Sequence, residues 1–149
     1  MPKTGYQITP IKILVNGLIK LFIRLGLASQ DDYILTVKGR KTGKRYTIPV
    51  KLVQESDRRW LVAPYGEVNW VRNTRAAGQV TLAQKGKSET VAVEEVGPEE
   101  SAPVLKQYLK QASIVQPYFD ARPDSPLEAF AAEAHRHPVF RIGAGDRQA

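Results

Sequence analysis

Polar residues recur at every fourth place through TPIKILVNGLIKLFIRLGLAS, at Lys12, Asn16, Lys20 and Arg24. In a helix that interval puts them on one narrow stripe and leaves the rest of the cylinder apolar. The spacing predicts a helix from about Pro10 to Leu27, with Thr9 as N-cap, Pro10 in the first turn and Gly26 near the exit. Its apolar runs are too short for the centre of a signal peptide, and its cations too many for a membrane span. Either its stripe faces water over a packed core, or the helix lies in a lipid interface with its cations toward headgroups.

After this helix the period drops to two. DYILTVKG, KRYTIPVKLVQE, RRWLVAPY, QVTLAQ, SETVAVEEV and HPVFRIG each alternate or run apolar, and RKTGK, ESDR and QKGK between them carry turn residues. The segment EVNWVRNTRAAG reads as a short helix ending at Gly78. GPEESAPVLKQYLKQA reads as another, with Glu99 and Glu100 at the positive end of its dipole. DSPLEAFAAEAHRH predicts a third, with Ser125 as N-cap and Pro126 at the first position. The expected fold class is α+β: about six antiparallel strands in a small barrel, with an amphipathic N-terminal helix and further short helices.

A chain of 149 residues suits a single domain over 1–149, its core at about 10–142 and its ends loose. It has no cysteine, which removes disulfides, thiolate zinc sites and cysteine nucleophiles together. The net charge of +7 is one-sided: residues 1–60 hold 12 Lys/Arg against 4 Asp/Glu. An anionic partner therefore belongs to the first half, and charge alone does not choose among nucleic acid, membrane and a phosphorylated small molecule.

Five of those cations crowd the eight positions from Lys38 to Arg45. GRKTGKR is one residue too short between its glycines for a Walker A loop, and Arg45 stands where a Ser or Thr would bind magnesium. Gly43 can take positive φ, so the turn suits an anion nest of amides and cations. Histidines in HRHP, read as sharing one face of a strand, lack the partners of a metal site or a triad. EEVGPEE reads as surface charge at a strand end and a helix start. A second cluster is APYGEVNWVRNTRAAG, where Trp70 and Asn73 fall one turn apart on a helix face and suit a planar heterocycle, or alternatively core and surface. The exposed aromatic ladder of a barrel that binds single strands is missing from the pattern.

VKGRKTGKRYTIPV, then WLVAPYGEVNWVRNTRAAGQVTL, then IVQPYFDARPDSPLEAFAAEAHRHPVF together resemble the nitroreductase family of deazaflavin-dependent oxidoreductases over about residues 10–142. That resemblance implies a split β-barrel of the FMN-binding type and coenzyme F-420 as cofactor, with FMN less favoured. It places Lys41, Thr42 and Gly43 on the coenzyme's phosphate, and neighbouring cations such as Arg40 and Lys44 toward its polyglutamate tail. Pro49, Val50, Ala63, Pro64, Tyr65, Trp70 and Asn73 would surround the deazaflavin ring. Tyr118, in a Pro-bounded segment, matches a tyrosine-bearing stretch that lines the pocket in similar proteins, and is the candidate catalytic residue. Many members carry Pro-Arg after the loop where this chain has Arg45 and Tyr46, which turns the cation to the other face of the strand.

The implied activity is hydride transfer from the reduced deazaflavin to a small hydrophobic acceptor: a quinone, a nitroaromatic or an activated alkene. No nucleic acid is expected as partner. The location expected is cytoplasmic, with peripheral contact at the inner face of the membrane through helix 10–27, and a homodimer, left open. The rival readings are a non-catalytic barrel that holds lipid or another flavin, and a basic nucleic-acid-binding barrel.

Overall fold

In the computed structural model, residues 16–21, 23 and 29–148 are described. The alternating segments become strands β1 (Asp32–Lys38), β2 (Arg45–Glu55), β3 (Arg58–Val62), β4 (Gln79–Gln84), β5 (Lys87–Glu95) and β6 (Val139–Gln148). All their pairings are antiparallel. They follow the order β1-β2-β3-β6-β5-β4, and the pairing of β1 with β4 closes the barrel. The helices are α1 (Asn69–Ala77), α2 (Pro98–Gln111) and α3 (Leu127–Glu133), with 3-10 turns at Ser113–Tyr118 and Ala134–Arg136. The expected α+β barrel of about six strands is borne out.

Alternation along the strands sorts side chains into two cores. Leu61 of β3 points into the barrel with Leu35, Leu52, Leu82 and Phe140. Its neighbours Trp60 and Val62 point outward to Leu105 and Leu109 of α2, Phe119 and Phe130. Burying each such Leu or Phe contributes about 1.5–3 kcal/mol. The Trp60 indole would leave a donor stranded in that apolar layer, but it donates to Glu100 Oε2 at 2.9 Å. Glu100 lies in the first turn of α2, as expected from the charge pattern, and its other oxygen accepts from Arg141 at 2.9 Å.

Three local expectations change. Residues 16–21 and 23 are helical, while the two ends of the predicted 10–27 helix lie outside the described residues, as do Lys12 and Arg24. Lys20 is partly buried and turned to the barrel: its Nζ donates to Thr47 Oγ1 on β2 at 2.8 Å. Ile23 is buried, and Leu18 and Leu21 are half exposed. An almost wholly apolar helix can bury only one side, and here the barrel offers the ammonium a hydroxyl. Ser125 does not cap α3. Its hydroxyl accepts from the Arg122 N–H at 2.8 Å and closes the preceding turn, so Pro126 takes the N-cap position. HRHP is not a strand, because His135 belongs to a 3-10 turn and His137 is buried after it.

Candidate functional site

The basic turn between β1 and β2 is tightly folded. Gly39 N–H donates to the Lys44 carbonyl at 2.6 Å and Gly43 N–H to the Gly39 carbonyl at 3.0 Å. Gly43 holds φ +76°, and a Cβ on Gly39 would sit 2.7 Å from the Tyr46 ring and 3.2 Å from the Lys44 carbonyl. Both positions therefore require glycine. Lys44 N–H donates to Thr42 Oγ1 at 3.2 Å. The anion nest is thereby narrower than the sequence suggested: Gly43 and Lys44 spend their amides inside the turn. Lys41 and Thr42 have no hydrogen-bonding partner for theirs among the described residues. The side chains of Lys38, Lys41, Thr42 and Lys44 are exposed around it.

Helix α1 packs against β1 and β4 and pushes Val71 into the barrel core, with Val68 and Trp70 against the same cluster. Gly78 ends the helix in the left-handed conformation, as its sequence predicts. Asn73, one turn after Trp70, is buried and joins the helix to the basic turn: its Oδ1 accepts from the Arg40 N–H at 3.1 Å and from Arg40 Nη1 at 2.7 Å. The Arg40 guanidinium is thus held at the helix rather than directed outward at a distant tail. Arg75 ties the far end of α1 to β5 through paired bonds to Glu95 at 2.7 and 2.8 Å, and also meets Glu67. Those two carboxylates keep its guanidinium charged well beyond the usual range.

The residues expected around a ring divide by strand face. Val50 and Ala63 are buried in the barrel core, and only their main chain could meet a ligand. Pro49, partly buried, lies on the opposite face of β2 from Val50. Pro64 is buried, and Tyr65 is partly buried. Tyr65 meets Tyr118 edge to face, with ring centroids 4.8 Å apart and planes at 75°. The structure therefore gathers Arg40 with Asn73 and Trp70 in one group, and Tyr65 with Tyr118 in another. Residues 63–73 run through both.

A buried pair behind the tyrosines escaped the sequence reading. His137 Nδ1 lies 2.8 Å from the Pro64 carbonyl and Nε2 lies 2.8 Å from Glu133 Oε1. Burial pushes the imidazole below its ordinary value, against the raising effect of its bonds to Glu133 and the Pro64 carbonyl. The four-residue interval from Glu133 to His137 on a predicted helix was the available signal.

A closed antiparallel barrel with helices on its outside is of the split-barrel fold class, and the comparisons with known proteins narrow it. Residues 23–125 match the family described as F420H(2)-dependent quinone reductase. The chain belongs to that family, which is a family of F-420-dependent oxidoreductases, and the resemblance read from its motifs is borne out. The solved structure of Atu2129 from Agrobacterium tumefaciens is 15% identical with a TM-score of 0.59, covering 97% of this chain and 60% of its own. This chain thus spans about three fifths of that relative. An F420-H2 dependent reductase, FDR-A, is 18% identical with a TM-score of 0.52, over 76% of this chain and 95% of its own. A domain-swapped dimer is 16% identical with a TM-score of 0.53, over 91% and 100% respectively. Among curated proteins no match is found.

Proposed function

We propose that this chain passes a hydride from reduced coenzyme F-420 to a small hydrophobic acceptor: a quinone, a nitroaromatic or an activated alkene. The observation that carries the reading is the joint of Arg40 with Asn73, which sets the cationic turn beside the helix bearing Trp70 in a member of an F-420-dependent family. The donor set fits the group. The unengaged amides of Lys41 and Thr42 and the Lys41 ammonium suit a phosphate, and Lys38 and Lys44 suit a carboxylate tail. When bound, the reduced coenzyme supplies the hydride. Trp70, with the main chain of Val50 and of 63–65, would hold the deazaflavin ring. The acceptor gains a hydride and a proton, and the Tyr118 phenol delivers that proton and recovers one from solvent.

Titration with F-420, followed by its visible absorbance, tests this: saturable binding is expected, then bleaching reversed by added acceptor once the coenzyme is reduced. Equal saturable binding of FMN, or binding of lipid with no deazaflavin response, would favour the rival barrel readings.

The exposed Leu18, Ile19 and Leu21 support peripheral contact with a lipid surface, resting on apolar insertion rather than on Lys20. Vesicle sedimentation at low salt checks it. Among the described residues no helix is long and apolar enough to cross a membrane. A homodimer fits the domain-swapped relative and is checked by light scattering.

A further inference from the structure

We infer that His137 and Glu133 are positioning residues that hold Tyr65 and Tyr118 edge to face, an inference resting on the reading of Tyr118 as the acceptor-side proton donor. His137 touches both tyrosine-bearing segments. Its Nδ1 meets the carbonyl of Pro64, the residue before Tyr65, at 2.8 Å. Its ring stacks on Phe119, the residue after Tyr118, with centroids 3.8 Å apart and planes at 10°. Glu133 grips the second segment from below: it accepts from the Asp120 N–H at 3.1 Å and the Ala121 N–H at 2.7 Å.

The proton inventory makes this grip an interlocked one. A carbonyl only accepts, so Nδ1 must donate to Pro64, and the 2.8 Å contact between Nε2 and Glu133 Oε1 must then hold a proton between them. Both side chains are almost fully buried, at 2% and 4% exposure, where water cannot replace a missing partner. Removing the carboxylate takes an acceptor from the amides of Asp120 and Ala121 and the partner from Nε2 together. Tyr118 ends a 3-10 turn containing Pro117, so nothing as regular as a helix ladder fixes it. The grip on Phe119 to Ala121 fixes it instead.

A network that merely stabilised the outer core would not move the tyrosine rings selectively, and fluorotyrosine with fluorine NMR on the coenzyme-free protein reads those rings directly. Tyr118→Phe and Tyr65→Phe assign the signals. Glu133→Gln keeps an acceptor for the amides and a donor for Nε2, and should retain both signals. Glu133→Ala and His137→Phe should shift the Tyr118 signal toward that of free fluorotyrosine. The same variants should lower turnover about tenfold or more while F-420 affinity stays near wild type. A folded Glu133→Ala or His137→Phe protein with the Tyr118 signal unmoved overturns the inference. If neither folds, His137→Gln decides, since its amide reaches one partner but not both and must move the signal. Should the signal move while Tyr118→Phe retains full turnover, the grip stands and the proton-donor reading falls.

Discussion

Asn73 Oδ1 accepts two hydrogen bonds from Arg40, one from the main chain and one from the guanidinium. The buried amide therefore serves the turn before it serves any ligand. The main-chain bond is worth about 0.5–1.5 kcal/mol and the charged one about 1.5–3, so their joint loss corresponds to about thirtyfold or more in affinity if the turn must be reordered on binding. Asn73→Leu should weaken F-420 binding by about that factor. Asn73→Asp keeps the acceptor and should stay within a few-fold of wild type. Fluorescence titration separates them, and equal losses would mean that the amide contacts the coenzyme itself.

The cations of the turn should fall into two groups. Lys41, beside the unengaged amides, would make a short charge-assisted bond to the phosphate worth about 1.5–3 kcal/mol. Lys38 and Lys44 would act on a solvated tail, screened over about 8–10 Å at ordinary salt. Lys41→Ala should weaken F-420 binding at every ionic strength, and Lys38→Ala or Lys44→Ala only at low salt. A coenzyme form without glutamates should bind Lys44→Ala and wild type alike. Wild-type affinity in Lys41→Ala would return the turn to ordinary solvated surface.

Tyr118→Phe keeps the edge-to-face ring against Tyr65 and removes only the hydroxyl. Turnover should fall by about 10²–10⁴-fold if the phenol transfers the proton, with coenzyme affinity unchanged. Stopped-flow oxidation of the reduced coenzyme measures it, and a parallel loss of affinity would make the hydroxyl a ligand instead.

Stability should fall at high pH because of one buried group. Burial, helped by Tyr65 and the charge of Asp32, pushes the Tyr108 phenol far above its ordinary 10.0. Above about pH 10 the unfolded chain releases this proton while the folded chain keeps it, so stability falls as pH rises. Urea unfolding across the alkaline range reads this limb, and Tyr108→Phe should flatten it.

The strands were legible because one face of each meets a core, which writes a period of two into the chain: Leu61 inward, Trp60 and Val62 outward. Gly78 announced the end of α1 through backbone sterics alone. The roles of Asn73 and His137 were hidden, since their partners Arg40 and Pro64 lie 33 and 73 residues away and only barrel closure brings them together. Ser125 misled because a hydroxyl before Pro-Leu-Glu can satisfy a turn amide as well as a helix end. Lys20 misled because a periodic pattern shows which residues share a face, not which face meets the barrel.

Strand β3 is a party wall between two rooms. Leu61 faces one side and Trp60 and Val62 the other, and Val53 of β2 and Val139 of β6 join those two against the helical layer that grips Tyr118. On the proposed reading, changes among Leu105, Leu109 and Phe130 would reshape the acceptor's surroundings while the cationic turn stays as it was, so the choice of acceptor would drift while the coenzyme is kept.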